Sequence, residues 1–189
     1  MSKYLDKRSV VITLGLTVLM LATRFHHFGS PISLPDASLA VFFVAGFYLR
    51  RIGYFILFLM LAAGADYASI SAGTNSYCLT PGYALLVPAY GSLWLCGLWF
   101  SRLYQINWVS LLPLIGTLLL GSTLAFLISN TGFYFFSGYF EKMSLIEYTQ
   151  RVIRYFGPYT VTAFAYTGLI MILHIAWTSY NRQNTEIAE

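Results

Sequence analysis

Charged residues are scarce in this sequence. Aspartate, glutamate, lysine and arginine make up only 10% of the 189 residues, whereas 58% are hydrophobic and the mean hydropathy is +0.66. So little charge cannot cover the surface of a water-soluble globule, and an ordinary soluble fold is therefore excluded. The composition predicts a polytopic membrane protein, and the length predicts one membrane domain over residues 1–189.

Cysteine and the common catalytic motifs are also scarce. The two cysteines, Cys78 and Cys96, are too few for a disulfide framework, and we expect both to be free. The sequence has no G-x-S-x-G, H-E-x-x-H or C-x-x-C motif and no glycine-rich phosphate loop, so no standard hydrolase, zinc or redox enzyme is predicted. Its basic residues are dispersed among segment ends, so we expect no nucleic-acid partner. We also expect no independent metal site.

Long apolar runs fill most of the chain. They predict an all-α bundle of six transmembrane helices surrounded by the lipid bilayer. The predicted spans cover residues 10–22, 37–49, 52–71, 82–100, 107–129 and 159–180.

Basic residues at the ends of these runs predict the orientation in the cytoplasmic membrane. If both termini lie in the cytoplasm, the loop between the third and fourth spans faces outward and carries no basic residue. The cytoplasmic side then holds Lys3, Lys7, Arg8, Arg50, Arg51, Arg102 and Arg182. The outer side holds Arg24, Lys142, Arg151 and Arg154.

The longest polar interruption, at residues 66–90, carries Cys78. Pro81 and Gly82 predict a turn directly after the cysteine, which places the thiol on a shaped loop. Such a thiol either ligates a metal, attacks an electrophile or packs as a small hydrophobe, and the loop alone leaves these alternatives open. Tyr77 and Tyr83 lie close to it in sequence, although an aromatic belt accounts for most of the 15 tyrosines.

A second polar region, at residues 130–158, is predicted to contain a short helix. Ser144 and Glu147 have the spacing of a capping box, which predicts a helix over 144–156. Glu147, Arg151 and Arg154 share one face of this helix. We interpret the helix as a lid on the outer surface whose basic face points either into a pocket or into water.

Arg24 and Asp66 are charged residues predicted at one level near the outer face of the membrane. Asp66 lies fifteen residues after Arg51, and Arg24 lies fifteen after Ser9, so each is about 22 Å from its cytoplasmic boundary at 1.5 Å per residue. Charges at that depth mark either a functional site or a structural ion pair, and the sequence leaves both open. His27, shortly after Arg24, is either a site residue or an interfacial residue.

These features together resemble a known family. Six helices in 189 residues, with an outward loop between the third and fourth, are similar to the substrate-binding S components of energy-coupling-factor (ECF) vitamin transporters. The S-Y-C-L-T-P-G-Y segment around Cys78, with Asp66 in the third helix, His27 after the first and an arginine before the sixth, more narrowly resembles the BtuM family of cobalamin transporters.

The resemblance implies a substrate-binding and transport domain that captures cobalamin outside and carries it inward. It implies that Cys78 ligates the cobalt of the bound corrinoid, the only metal involved, and that the upper cobalt ligand, including cyanide, is removed. Asp66 and Tyr83 would relay the proton of this reaction. The implied substrate contacts are His27, Arg24, Tyr77, Arg151 and Arg154, with Arg154 preferred over Arg151.

The resemblance leaves the partner and the function partly open. S components that dock on a shared coupling subunit usually carry Ala-x-x-x-Ala in the first helix, where this chain has Ser9, Thr13 and Thr17, so dependence on an ECF coupling module is in doubt. One alternative is an S component for another vitamin, with Cys78 structural. A second is a membrane thiol enzyme that processes an external electrophile without moving it.

Overall fold

The computed structural model describes residues 6–25, 34–73, 77, 80–105 and 108–187, except for the side chains of residues 25, 108 and 179–187. The described residues form helices and no strand. The seven α-helices are α1 (Lys7–Phe25), α2 (Ser38–Tyr48), α3 (Ile52–Ser71), α4 (Leu86–Leu103), α5 (Leu111–Phe136), α6 (Leu145–Val152) and α7 (Phe156–Ile187). The predicted all-α fold is therefore confirmed for the described residues, and the six helices besides the short α6 match the number of predicted spans.

Four helical segments are long and apolar enough to cross a membrane. They are Ile52–Ser71, Pro81–Leu103, Leu111–Phe136 and Leu145–Thr178. Large apolar side chains such as Met60, Leu112 and Ile172 are exposed on the outer faces of these segments. Contact between so much apolar surface and water would be unfavourable. Length, composition and exposed surface together indicate a membrane protein.

The second predicted span is a short central helix. Residues 38–47 of α2 are all buried in the protein. Eleven residues extend only about 16 Å, roughly half the hydrocarbon thickness of a bilayer. α2 is therefore a core helix enclosed by its neighbours, which explains why its sequence is apolar on every side.

Two glycines bring the backbones of α2 and α4 into direct contact. A Cβ atom at Gly46 would overlap the carbonyl oxygen of Trp94, and one at Gly97 would overlap the carbonyl oxygen of Phe43. Small residues at such a crossing let two helices approach more closely than larger side chains permit. This contact fixes α4, and with it Tyr90, against the core ring of Phe42, whose centroid lies 4.3 Å from that of Tyr90.

We expect Gly97→Ala to destabilise the protein by about 1–3 kcal/mol, because the added methyl group forces α2 and α4 apart. The measurement is the thermal unfolding midpoint in detergent. Gly116→Ala in α5 is the matched control, since a Cβ there meets no atom within 4 Å. The control should leave stability unchanged or raise it slightly, as alanine favours helix over glycine. Equal stability of the two variants would contradict the close helix contact.

The region between the fifth and sixth predicted spans is more helical than expected. α5 continues to Phe136, seven residues beyond the predicted end at 129. Asn130 is accommodated in the helix because its Nδ2 donates to the carbonyl oxygen of Phe126 at 2.8 Å. α7 begins at Phe156, so Pro158 lies in its first turn, where proline's missing N–H costs no helical hydrogen bond.

The short helix α6 is present but ends at Val152, before the predicted end at 156, and the serine half of its predicted capping box forms. The backbone N–H of Glu147 donates to Ser144 Oγ at 3.3 Å. The buried residue of α6 is Tyr148, whose hydroxyl donates to the carbonyl oxygen of Asn130 at 3.1 Å. Arg151 and Arg154 are exposed, so of the two directions predicted for the basic face, the structure shows the outward one.

Candidate functional site

A cavity of about 410 Å³ opens at the end of the bundle where α1 and α3 finish and α4 and α7 begin. Its volume is within the range of small-molecule binding sites. The wall is formed by Arg24, Asp36, Asp66, Gly82, Tyr83, Leu86, Tyr90, Ser129, Asn130, Phe133 and Tyr159.

Arg24 and Asp66 form a bidentate ion pair in this wall. Arg24 Nε lies 2.6 Å from Asp66 Oδ1, and Arg24 Nη2 lies 2.6 Å from Asp66 Oδ2. Arg24 is only 6% exposed, so the pair is largely removed from water. The sequence placed both residues at one level, and the structure shows that they are also neighbours and that both line the cavity.

The remaining nitrogen of Arg24 organises a second group of polar side chains. Arg24 Nη1 donates to Ser38 Oγ at 2.8 Å, to Tyr90 Oη at 2.9 Å and to Asp36 Oδ2 at 3.2 Å. One guanidinium thus faces two carboxylates, and the formal charge of the network is −1. An excess negative charge in a partly enclosed wall favours a ligand that carries positive charge.

Asp36 is held in place by contacts from two helices. The backbone N–H of Ala37 donates to Thr23 Oγ1 at 3.1 Å, and Tyr166 Oη in α7 donates to the carbonyl oxygen of Pro35 at 2.9 Å. Asp36 Oδ1 in turn accepts from the backbone N–H of Ser38 at 2.9 Å. An acidic residue that bonds the first N–H groups of a helix is a common local arrangement. An aspartate directly before an apolar run is the sequence signal of this arrangement, although Asp36 was not predicted to be a site residue.

Tyr83 is joined to the ion pair through Asp66. Its hydroxyl donates to Asp66 Oδ2 at 2.6 Å. The residue lies in a 3₁₀ turn, Pro81–Leu85, in which Gly82 packs so closely on α5 that a Cβ would lie 2.6 Å from the carbonyl oxygen of Gly132. The predicted turn is therefore present, and glycine at position 82 is what allows it to dock against α5.

The aromatic side chain of Tyr77 packs beside the cavity. Its ring stacks on Tyr139, with centroids 4.3 Å apart, and lies edge-on to Phe133 with a centroid separation of 5.7 Å. Phe133 lines the cavity, whereas Tyr77 is not a lining residue and contacts the wall through Phe133. The segments before and after Cys78 in sequence thus both contact α5 next to the cavity.

The other predicted site residues fall into two groups. Cys78 and His27 lie outside the described residues. Arg151 and Arg154 are described and do not line the cavity, and the guanidinium carbon of Arg154 lies 5.0 Å from the ring centroid of Tyr155 instead. The contact between α6 and the cavity wall runs through Tyr148 and Asn130, neither of which was predicted from the sequence.

The described wall can orient a ligand and move a proton along one route. Both oxygens of Asp66 already accept hydrogen bonds, and among their donors the Tyr83 hydroxyl is the group suited to passing a proton. Within the described part of the chain, no group of three or more histidine, cysteine or acidic residues could hold a metal ion. The described residues thus supply hydrogen bonds, charge and aromatic surface.

Comparison with known proteins identified no family. No protein-family model matches the chain, and no curated protein has a matching sequence. The functional interpretation therefore depends on the residues of the cavity and on their chemistry.

Proposed function

We propose that the protein takes up cobalamin across the cytoplasmic membrane and binds the corrinoid at the cavity around Arg24 and Asp66. The observation that carries the proposal is the hydrogen bond from Tyr83 to Asp66, because it joins a buried carboxylate to the segment that begins at Cys78. Cys78 is five residues before Tyr83 in sequence and directly follows Tyr77. A thiol, a hydroxyl and a carboxylate in this order can ligate a metal and dispose of the thiol proton.

The proposed reaction replaces the upper cobalt ligand by the thiolate. The S–H bond of Cys78 breaks, its proton passes to the Tyr83 oxygen, and the Tyr83 proton passes to Asp66. A bond between sulfur and cobalt forms while the bond between cobalt and cyanide breaks, and cyanide leaves with its electron pair. The proton held by Asp66 returns through Tyr83 to give hydrogen cyanide, so the oxidation state of cobalt does not change.

The charge of the site fits this substrate. The cobalt-bearing ring of a corrinoid is cationic, and the network of Arg24 with two aspartates has a formal charge of −1. The aromatic rings of Tyr83, Phe133 and Tyr159 provide apolar surface in the same wall. In the proposed orientation this end of the bundle faces outward, and both termini are cytoplasmic.

The volume of the cavity favours a second candidate function. A whole cobalamin is larger than 410 Å³, so the corrin face would rest on the mouth of the cavity with only its central part inside. A smaller vitamin would enter completely. An S component for such a vitamin, with Cys78 structural, is therefore the second candidate.

Uptake by whole cells separates these functions. Cells whose own cobalamin uptake has been removed should accumulate labelled cyanocobalamin when they express this chain, and excess biotin or riboflavin should not compete. Accumulation of a small vitamin without cobalamin would favour the second candidate. Conversion of cyanocobalamin outside the cells without accumulation would instead identify a thiol enzyme, and either result contradicts the transport proposal.

A further inference from the structure

A second cavity lies at the opposite end of the bundle and has a volume of about 280 Å³. Its wall combines the start of α1, the ends of α2 and α4 and the later part of α7. The polar residues of the wall are Asp6, Arg8, Ser9, Tyr48, Arg50, Tyr104 and His174. Arg8 and Arg24 are sixteen residues apart on α1, which corresponds to about 24 Å along the helix. The two cavities are therefore separate sites.

Several hydrogen-bond donors of this wall have no partner among the described residues. Among the described residues, none bonds the guanidinium of Arg8, the hydroxyls of Tyr48 and Tyr104, or the imidazole of His174. Ring packing holds these groups together, since the His174 ring lies 5.5 Å from that of Tyr48 and 5.8 Å from that of Tyr104. The Arg8 guanidinium carbon lies 6.0 Å from the Tyr48 ring centroid. Arg8 is exposed and the other three residues are half-buried, so a ligand in the cavity would replace water as the partner of these groups.

Arg50 adopts an unusual backbone conformation in the wall of this cavity. Arg50, between α2 and α3, has φ 53°, the left-handed conformation that glycine adopts more readily than any other residue. It is the one described non-glycine residue with positive φ. Its Nε donates to the carbonyl oxygen of Phe47 at 3.3 Å, near the end of α2. Arg50 is therefore held at the end of α2 with its side chain in the cavity wall.

The charges of the cavity select an anion. Arg8 and Arg50 carry two positive charges and Asp6 one negative charge, so the wall has a formal charge of +1 with His174 neutral. Guanidinium groups together with hydroxyl and imidazole N–H donors match the several oxygens of a phosphate group. We infer that this cavity binds a phosphate group, supplied by the headgroup of an anionic phospholipid or by free phosphate. The site shares no residue with the proposed corrinoid site and does not depend on it.

Native mass spectrometry of the protein in uncharged detergent tests the lipid source. The full chain should retain one phosphatidylglycerol, and should bind it about tenfold more tightly than phosphatidylcholine. Arg8→Gln and Arg50→Gly should each weaken this binding by about fivefold or more, since each removes one guanidinium. Arg50→Gly also removes the left-handed strain, so its unfolding midpoint should not fall. Arg102→Gln, which removes a positive charge at the same end but outside the cavity, should leave binding unchanged.

Equilibrium dialysis with labelled inorganic phosphate tests the other source. Phosphate binding that is lost in Arg8→Gln while phosphatidylglycerol shows no preference would support the site and assign it to a soluble phosphate. Absence of binding in both experiments would overturn the inference. An equal loss of binding in Arg8→Gln and Arg102→Gln would also overturn it, because the loss would then come from the general surface charge and not from the cavity. Corrinoid absorption should be the same in all these variants.

Discussion

Replacing Arg24 with alanine should destabilise the protein by about 3–5 kcal/mol, the cost of leaving a buried partner charge unpaired. Asp66 would lose both of its bonds to the guanidinium, and Ser38, Tyr90 and Asp36 would lose their shared donor. Thermal unfolding in detergent, followed by circular dichroism, measures the effect. Arg154→Ala is the control, because that arginine is exposed and should cost less than about 0.5 kcal/mol.

Arg24→Lys distinguishes the geometry of the pair from its charge. Lysine keeps the positive charge but cannot form the two parallel bonds that Nε and Nη2 make to Asp66. We expect the stability of Arg24→Lys to fall by less than that of Arg24→Ala and by more than that of Arg154→Ala. If Arg24→Lys were as stable as the native protein, the bidentate contact would not contribute to stability, and charge alone would account for it.

Replacing Cys78 with alanine should abolish cobalt-ligand exchange, because no thiolate remains to displace cyanide. Weaker binding of the corrinoid through the aromatic wall should persist. The measurement is the absorption spectrum of cyanocobalamin over time with purified protein, and Cys96→Ala is the matched control. Cys96 is free and buried between helices, so that variant should exchange at the native rate. Exchange by Cys78→Ala at the native rate would exclude thiolate ligation and leave Cys78 a structural residue.

The same assay tests the proposed proton route. Asp66→Asn removes the proton acceptor but also breaks the ion pair with Arg24, so Tyr83→Phe, which keeps that pair and the shape of the wall, is the cleaner variant. Tyr83→Phe interrupts proton transfer and should slow exchange by about 10²-fold or more. Binding of the corrinoid should change much less. A change in affinity without a change in rate would show that the Tyr83 to Asp66 hydrogen bond positions the ligand instead of moving a proton.

Local sequence signals predicted the helices well where each helix has a clear boundary. α3 was predicted over 52–71 and occupies Ile52–Ser71, because arginines precede it and a polar segment follows it. The N-terminal cap at Ser144 formed as predicted for the same reason. Both signals depend on residues close together in sequence, so they do not depend on how the rest of the chain packs.

Packing between distant segments could not be predicted from the same signals. An apolar run has the same composition whether it faces lipid or other helices, so α2 was interpreted as a span although its 11 residues lie inside the bundle. Likewise, nothing in the sequence pairs Gly46 with Trp94 or Gly97 with Phe43. Such contacts depend on tertiary structure, and they determine where Tyr90 lies.

The candidate site was predicted in part. Helical rise placed Arg24 and Asp66 at one level, but it gives no information on rotation about each helix, so only the structure shows them in contact. The resemblance, and not their spacing, placed Arg151 and Arg154 near the substrate, since the spacing left open whether the basic face pointed into a pocket or into water. That face is exposed, and Tyr148 is the residue of α6 that contacts the cavity wall, through Asn130.

The visible spectrum of the protein purified from cells fed cobalamin tests the central claim most directly. We predict a coloured protein that carries about one corrinoid per chain, with cobalt bands shifted from those of free cyanocobalamin because a thiolate replaces cyanide. The Cys78→Ala variant should lack the shifted bands. A colourless native protein, or bound corrinoid with the same spectrum in both proteins, would contradict cobalamin binding through Cys78.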